Sequence, residues 1–208
     1  MITGFNPSVA AKNIRDFADQ VEAAYDQLQL AIGDLSDGLS INWGSPKAVE
    51  FKTKIKPLFD DLFQTMNDKS VEIQHGAYSA YNIAASSNGE ATIADETRGF
   101  FDATTFMELF DNIGGKVGMN INVVRNTLLP NFELAMKSGA DMLDAVTNSI
   151  ALYDAGDNQQ RAYSTGISNM KEAVLAILES ATRLLREALE TEADVIFQSA
   201  QNAASVLG

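Results

Sequence analysis

The segment SINWGSPKAVEF, residues 40–51, holds the only tryptophan of the chain and lies between two long stretches with helical periodicity. Glycine and proline flank the tryptophan, so the segment is predicted to be a turn. Ser45 is a suitable N-cap, and Pro46 is a suitable first helical residue because proline has a fixed φ and no N–H to leave unpaired. The segment therefore predicts two helices joined by a turn, with a large aromatic residue at the bend.

On both sides of this turn, apolar residues recur at spacings of three and four, which places them on one face of a helix. Before the turn the series starts at Ile14, and the helix is expected to end near Gly33 and Gly38, since glycine weakens helices. After the turn the series extends to Tyr81, with Pro57 inside it, where a kink is expected.

Three further segments show the same periodicity. Residues 93–113 are short and very apolar, which predicts a buried helix that ends at the glycine-rich turn GGKVG. Residues 119–155 carry a longer seam, and residues 159–205 carry the clearest heptad pattern of the chain. No segment alternates with period two, so no strand is predicted.

We therefore predict an all-α fold, an elongated antiparallel helical bundle in a single domain. It consists of two helix–turn–helix hairpins, residues 8–85 and 93–157, and a long C-terminal helix over residues 159–205.

An internal similarity supports two hairpins in tandem. When residues 43–63 are laid over residues 116–136, Pro57 falls on Pro130 and Phe59 on Phe132. The second copy has no tryptophan, so any role that depends on the indole belongs to the first.

Composition narrows the function classes. The 208 residues include 28 acidic and 15 basic side chains, a formal charge of −13, which nucleic acid and anionic membranes would repel. The chain has no cysteine, which excludes disulfides, thiolate zinc sites and cysteine nucleophiles. Its first residues, MITGFNPSVAAKNIRDFADQ, lack the apolar region of an ordinary signal peptide, and no stretch approaches the roughly 20 apolar residues of a membrane span.

No catalytic pattern is present in the sequence. His75 is the only histidine, and a lone histidine on a helix is usually a surface or core residue. Phosphate-binding loops, zinc-protease motifs and EF-hands are absent, and a carboxylate metal site in a bundle would need more histidines. We predict no enzymatic activity, no catalytic residue, no metal and no cofactor.

The tryptophan turn and the helix after it resemble the W-x-G family of small type VII secretion substrates. Trp43 and Gly44 open the turn, Ala48 follows at +5 and Phe51 at +8. The glycine stands directly after the tryptophan, one position earlier than in the family pattern. Family members are helical hairpins about half as long as this chain, and they pair into antiparallel four-helix bundles. The resemblance thus implies a tandem fusion of hairpins.

Many pairs in that family carry a Tyr-x-x-x-Asp/Glu signal after the second helix of one partner. The segment YDAGD places Tyr153 and Asp157 at this spacing, where the fourth predicted helix should end. The resemblance implies that Trp43, Gly44, Tyr153 and Asp157 form a composite export signal for a secretion ATPase. In the alternative interpretation, Trp43 closes the tip of the bundle and Asp157 caps the last helix.

The implied function is that of a non-enzymatic, leaderless protein that is cytoplasmic before export, secreted afterwards, and acts as substrate, adaptor or partner. Its partner would be the secretion ATPase or another helical secreted protein, with no nucleic acid involved, and the chain would be a monomer or a homodimer.

Two alternatives stay open. An α-helical pore-forming toxin would conceal residues 93–113 as a membrane-inserting hairpin, and only this alternative involves a membrane. A helical partner or chaperone of another secreted protein would pair its last helix, residues 159–205, with a second chain.

Overall fold

The predicted all-α class is confirmed by the structure. The computed structural model describes residues 2, 4–101, 108, 110–111, 113–114, 118–146, 152 and 157–207. Its regular elements, in chain order, are helix α1 (Pro7–Asn42), strand β1 (Trp43–Gly44), helix α2 (Pro46–Asn88), strand β2 (Gly118–Met119), helix α3 (Ile121–Val123, the π-helical Val124–Leu128, and Leu129–Val146) and helix α4 (Asp157–Leu207).

Contacts group the chain into two compact units, and each of the helices contributes a segment to both. The first unit comprises residues 1–28, 61–102 and 136–175, and the second comprises residues 29–60, 103–135 and 176–208. Each unit has its own apolar core. Buried residues of the first include Phe17, Val21, Leu28, Phe63, Met66, Ile167 and Met170, and those of the second include Ile32, Leu39, Ile55, Phe59, Val124, Phe132 and Leu185.

In the second unit, α1 and α3 are antiparallel. The backbone N–H of Asn120 donates to the carbonyl of Asn42 at 2.8 Å, and Leu128 packs directly on Gly38, where an added Cβ would lie 2.5 Å from Leu128 Cδ2. The predicted end of the first helix near Gly38 is therefore wrong, because this glycine allows the close approach of α3 and the helix continues to Asn42.

The other helices of the second unit complete an up-down-down-up arrangement. A tight turn reverses the chain between α1 and α2, so α2 runs beside the parallel α3. Helix α4 runs the opposite way, since the Ser45 hydroxyl donates to Glu192 while Arg186 pairs with Glu133 at 2.6 Å. In this topology the helices α2 and α3 begin at the same end, and a long connection must join them.

The predicted third helix, residues 93–113, is wrong over residues 93–101, which are not helical. The second hairpin, predicted over residues 93–157, therefore has no helix over this first part, and residues 102–107, 109 and 112 lie outside the described residues. In the second unit the connection passes Lys52, whose ammonium donates to the carbonyl of Asp111 at 3.1 Å, and then reaches β2. It is a crossover, which the apolar spacing of the sequence cannot distinguish from a short helix.

In the first unit the crossover is held on α2 by side-chain amides. We call residues 90–101 the strap. Ile93 donates its N–H to Asn82 Oδ1 at 2.9 Å and accepts from Asn82 Nδ2 at 3.0 Å. Arg98 makes the same two bonds with Gln74, at 3.1 and 3.0 Å. Each amide thus pairs with the strap as a neighbouring strand would, and satisfies backbone groups that no helix satisfies.

Further contacts attach the far end of the strap. Asn67 Oδ1 accepts from the N–H groups of Phe100 at 2.9 Å and Phe101 at 3.2 Å, and the Phe100 ring lies 4.8 Å from that of Tyr25. The Arg98 guanidinium pairs with Asp19 and Glu22 of α1, and these carboxylates raise the pKa of Arg98. The strap therefore binds to both α1 and α2.

The two prolines matched in the internal similarity differ in their surroundings. Helix α2 passes Pro57 as an α-helix, whereas the π-helical segment Val124–Leu128 lies just before Pro130 in α3. Proline removes one backbone hydrogen bond of a helix, and a π-helical turn is one way of accommodating that loss.

Replacement of Gln74 tests the amide pairing. Gln74 is buried, so Gln74→Leu keeps the packing volume but leaves the Arg98 N–H and carbonyl without their partners. We expect a loss of about 1–3 kcal/mol in urea unfolding and faster hydrogen exchange at the Arg98 amide. Gln64→Leu is the control, because Gln64 is exposed and bonds only to Asp68 along the same helix. Unchanged exchange at Arg98 would contradict the pairing.

The strap also predicts a pH dependence. The Thr97 hydroxyl donates to Asp95 at 2.6 Å, and this bond, together with the Thr97 N–H and His75, holds the pKa of Asp95 below its ordinary value. A carboxyl with a lowered folded pKa stabilises the fold above its unfolded pKa, about 4, and loses this contribution as the pH falls through the folded value. Asp95→Asn should therefore destabilise by less than about 1 kcal/mol at neutral pH, since the pair is exposed.

The difference between Asp95→Asn and the parent chain should shrink as the pH is lowered below about 4, as measured by thermal melting. Glu90→Gln, an exposed change elsewhere in the strap, serves as the control and should show no comparable difference at neutral pH. A stability gap that stays constant down to acid pH would show that the Asp95 carboxylate is not the cause.

Candidate interaction site

The tryptophan turn lies in the second unit, and Trp43 is fully buried there. Its ring lies 5.6 Å from the ring of Phe51, and Ala48 is buried as well. The three residues at the family spacing thus all point into the interior, and the indole is not an exposed binding anchor.

The indole N–H of Trp43 is buried and has no hydrogen-bond acceptor in the part of the chain that the structure describes. A buried donor without an acceptor destabilises a fold by about 1–3 kcal/mol. Trp43 therefore stabilises the fold through the size and apolar surface of its ring, while its buried N–H lowers the stability.

The backbone of the turn pairs with β2. Trp43 is opposite Met119 and Gly44 opposite Gly118, in antiparallel register. The prediction that the chain has no strand is wrong at these two short segments, because a bridge of two residues is too short to show a period-two pattern. The sequence carries one indication of β2. The glycine-rich turn GGKVG lies before α3, as the tryptophan turn lies before α2.

Ser45, the residue after Gly44, links the turn to two helices. It caps α2, since the Ala48 N–H donates to Ser45 Oγ at 3.2 Å. The Ser45 hydroxyl also donates to Glu192 of α4. Helix α2 begins at Pro46, and the predicted cap and first helical residue are confirmed. The contact with Glu192 could not be predicted, because it depends on which helix lies beside the turn.

Of the second half of the predicted export signal, Tyr153 and Asp157, the structure describes only Asp157. Tyr153 lies outside the described residues, and Asp157 is the first residue of α4. Trp43 belongs to the second unit and Asp157 to the first. The structure brings Trp43 and Gly44 together in β1, and the composite signal stays a prediction.

Two clefts lie on the part of the surface that the structure describes. One cleft of about 250 Å³ lies beside the Arg186–Glu133 pair, and one of about 200 Å³ lies beside Glu50, whose pKa is lowered to about 2 by hydrogen bonds to Lys47 and Lys54. Both are smaller than the roughly 300–1,000 Å³ of typical ligand sites.

The part of the chain that the structure describes has neither a metal-binding cluster nor a membrane-spanning helix. No group of three or more His, Asp or Glu side chains there is placed to hold a metal ion, and none of the helices has both the length and the hydropathy of a membrane span. The only histidine, His75, lies 2.6 Å from Asp95 and serves the strap.

The fold and the buried turn define the class of this protein as an all-α helical bundle with a crossover connection. Comparison with known proteins adds no narrower assignment, since no family model, curated protein or solved structure matches the chain.

Two substitutions at Trp43 distinguish the contribution of its ring to stability from the contribution of its N–H. Trp43→Ala removes a fully buried ring and should destabilise by about 3–5 kcal/mol, whereas Trp43→Phe keeps most apolar contacts and loses no hydrogen bond. We expect Trp43→Phe to lose about 1–2 kcal/mol, as measured by circular dichroism in urea. Ile41→Ala, at an exposed neighbouring position, is the control and should change stability by less than about 0.5 kcal/mol. If Phe were as damaging as Ala, the N–H would have to have an acceptor.

Proposed function

We propose that this chain is a non-enzymatic, secreted helical protein of the type VII kind, an export substrate or adaptor recognised by a secretion ATPase. The observation that carries the proposal is the turn, where Trp43, Gly44, Ala48 and Phe51 stand at spacings resembling the W-x-G family and Trp43 contacts Phe51 between two long helices. In this proposal Tyr153 and Asp157 supply the second part of the signal.

The burial of Trp43 assigns it a supporting role in this proposal. A buried ring cannot touch the ATPase, so the recognised surface consists of the exposed residues that the ring holds in place. Ile41 is 64% exposed and Val49 is 45% exposed, on the two helices that the turn joins. Exposed apolar side chains beside a rigid turn are suitable anchors for a partner protein.

The exposed position of the only histidine, His75, where it pairs with Asp95 of the strap, supports a protein without catalysis. The catalytic designs that need a histidine paired with a nucleophile or a metal have no second candidate in this sequence, which also lacks cysteine. The acidic side chains that contact bases do so as exposed pairs, as Glu50 does with Lys47 and Lys54.

No observation favours the pore-forming alternative. It requires residues 93–113 as a helical hairpin, but residues 93–101 are not helical. The partner alternative requires a free face on the last helix, and the end of α4 is exposed from Asp194 to Ser205.

Export assays test the proposal. In a bacterium with an active type VII system, Tyr153→Ala and Ile41→Asp should each lower export about tenfold or more, the effect of losing about 1.4 kcal/mol of docking energy. Thermal melting should be unchanged for Ile41→Asp, because this side chain is exposed. Trp43→Phe should be exported normally as long as it stays folded.

Two controls make the result specific. Leu134→Asp adds the same charge at another exposed apolar position, 72% exposed on α3, and should leave export unchanged. A strain without the secretion ATPase should export none of the variants. Normal export of both Tyr153→Ala and Ile41→Asp, or export without the ATPase, would refute the proposal.

A further inference from the structure

The end of α4 is a helix without neighbours. Glu192, which accepts the hydrogen bond from Ser45, is followed by a helical segment that we call the α4 extension, residues 193–205. From Asp194 to Ser205 every residue is exposed, and Val195, Ile196 and Phe197 are 54, 50 and 63% exposed. Three consecutive apolar residues exposed on one helix are unusual for a surface that stays free.

The extension continues a helix that is packed as far as Leu189. Alanine, the strongest helix former, is its most frequent residue, whereas Val195, Ile196 and Phe197 are weaker helix formers. The helix itself therefore needs no partner, and the three adjacent apolar side chains are what a partner would cover.

The face of α4 that packs in the second unit continues into the extension. Leu178, Ala181, Leu185 and Leu189 are buried at spacings of three and four, and the same series continues to Ile196, Ala200 and Ala203. In the sequence the next member of the series is residue 207, a leucine. We call the positions from 196 onward the open seam.

The open seam is self-complementary. Its positions 196, 200, 203 and 207 have spacings of four, three and four, which are the same in both directions. Two copies related by a two-fold axis must present the same patch to each other, and an antiparallel pair of this seam places position 200 opposite position 203. Both positions are alanines, whose small side chains let two helices approach closely.

Charge does not oppose a second copy at this surface. The chain carries a formal charge of −13, yet no charged side chain follows Asp194. Two copies can therefore meet along the extension without placing like charges against each other, although the remainder of the two chains repel.

We propose that the open seam is a homodimerisation surface, occupied by the α4 extension of a second copy in antiparallel orientation. An overlap of about 20 Å of helix buries on the order of 1,000 Å², the lower end of specific interfaces, so we expect a weak dimer that depends on concentration. The inference is independent of the proposed export function, because it uses none of the signal residues.

Sedimentation velocity of the full chain over a range of micromolar concentrations tests the dimer. The dimer fraction should increase with concentration, and it should also increase with salt because screening weakens the repulsion between the two chains. An interface built on ion pairs would show the opposite salt dependence. A chain that stays monomeric at every concentration and salt would overturn the proposal, as would a monomer that binds lipid vesicles through the extension.

Matched variants locate the surface. Ala200→Glu adds a charge to the open seam and should weaken dimerisation at least tenfold, whereas Gln198→Glu adds the same charge on the opposite side of α4 and should leave it unchanged. Equal effects of the two variants would contradict the assigned face.

Disulfide trapping tests the orientation, since the natural chain has no cysteine. An equal mixture of Ala200→Cys and Ala203→Cys chains should cross-link faster than either chain alone, because only an antiparallel pair places position 200 opposite position 203. Faster self-linking of Ala200→Cys alone would indicate a parallel pair and would overturn the proposed arrangement.

Discussion

The pairing of β1 with β2 is the constraint on which the rest of the second unit depends. It places Trp43 opposite Met119 and Gly44 opposite Gly118, and the bond from Asn120 to Asn42 continues the contact. Helices α2 and α3 follow these two strands, so they begin at the same end, and the contacts of Ser45 with Glu192 and of Glu133 with Arg186 show that both run antiparallel to α4. A short turn cannot connect the end of one helix to the start of a parallel neighbour, so a crossover follows from this pairing.

The backbone N–H and C=O groups of the crossover need hydrogen-bond partners, because a segment that is not helical cannot pair them within itself. Asn67, Gln74 and Asn82 of α2 supply these partners. They are spaced seven and eight residues apart and therefore lie on one face of the helix. Gln74 is buried, and it is stable there because its amide is bonded to Arg98 and Ser70. The polar side chains of α2 thus determine where the strap lies, and apolar contacts such as Phe100 on Tyr25 add to its stability.

Periodicity predicted the all-α class, the helices α1, α2 and α4, and the start of α2 at Pro46, because each depends on residues close in sequence. It failed over residues 93–101, which are not helical, because apolar side chains such as Phe100 are needed both by a packed irregular segment and by a buried helix. Farther along the chain, Phe110 stacks on Phe59 at 6.0 Å. The regular spacing of amides in α2 was the available indication of a bound segment. At the candidate site the spacing singled out Trp43, Ala48 and Phe51, but whether the indole faces solvent depends on β2 and α4, which are distant in sequence.

Trp43 and the α4 extension show that hydrophobicity and exposure need to be considered separately when a function is inferred. Trp43 is the residue that sequence statistics favour as a binding anchor, yet it is fully buried, and its N–H has no acceptor among the described residues. The extension is less conspicuous in sequence, yet its Ile196 and Phe197 are exposed. A buried ring stabilises the fold whether or not a partner is present. Exposed apolar side chains contribute only when a partner covers them, so the proposed association would bury surface that the single chain leaves in water.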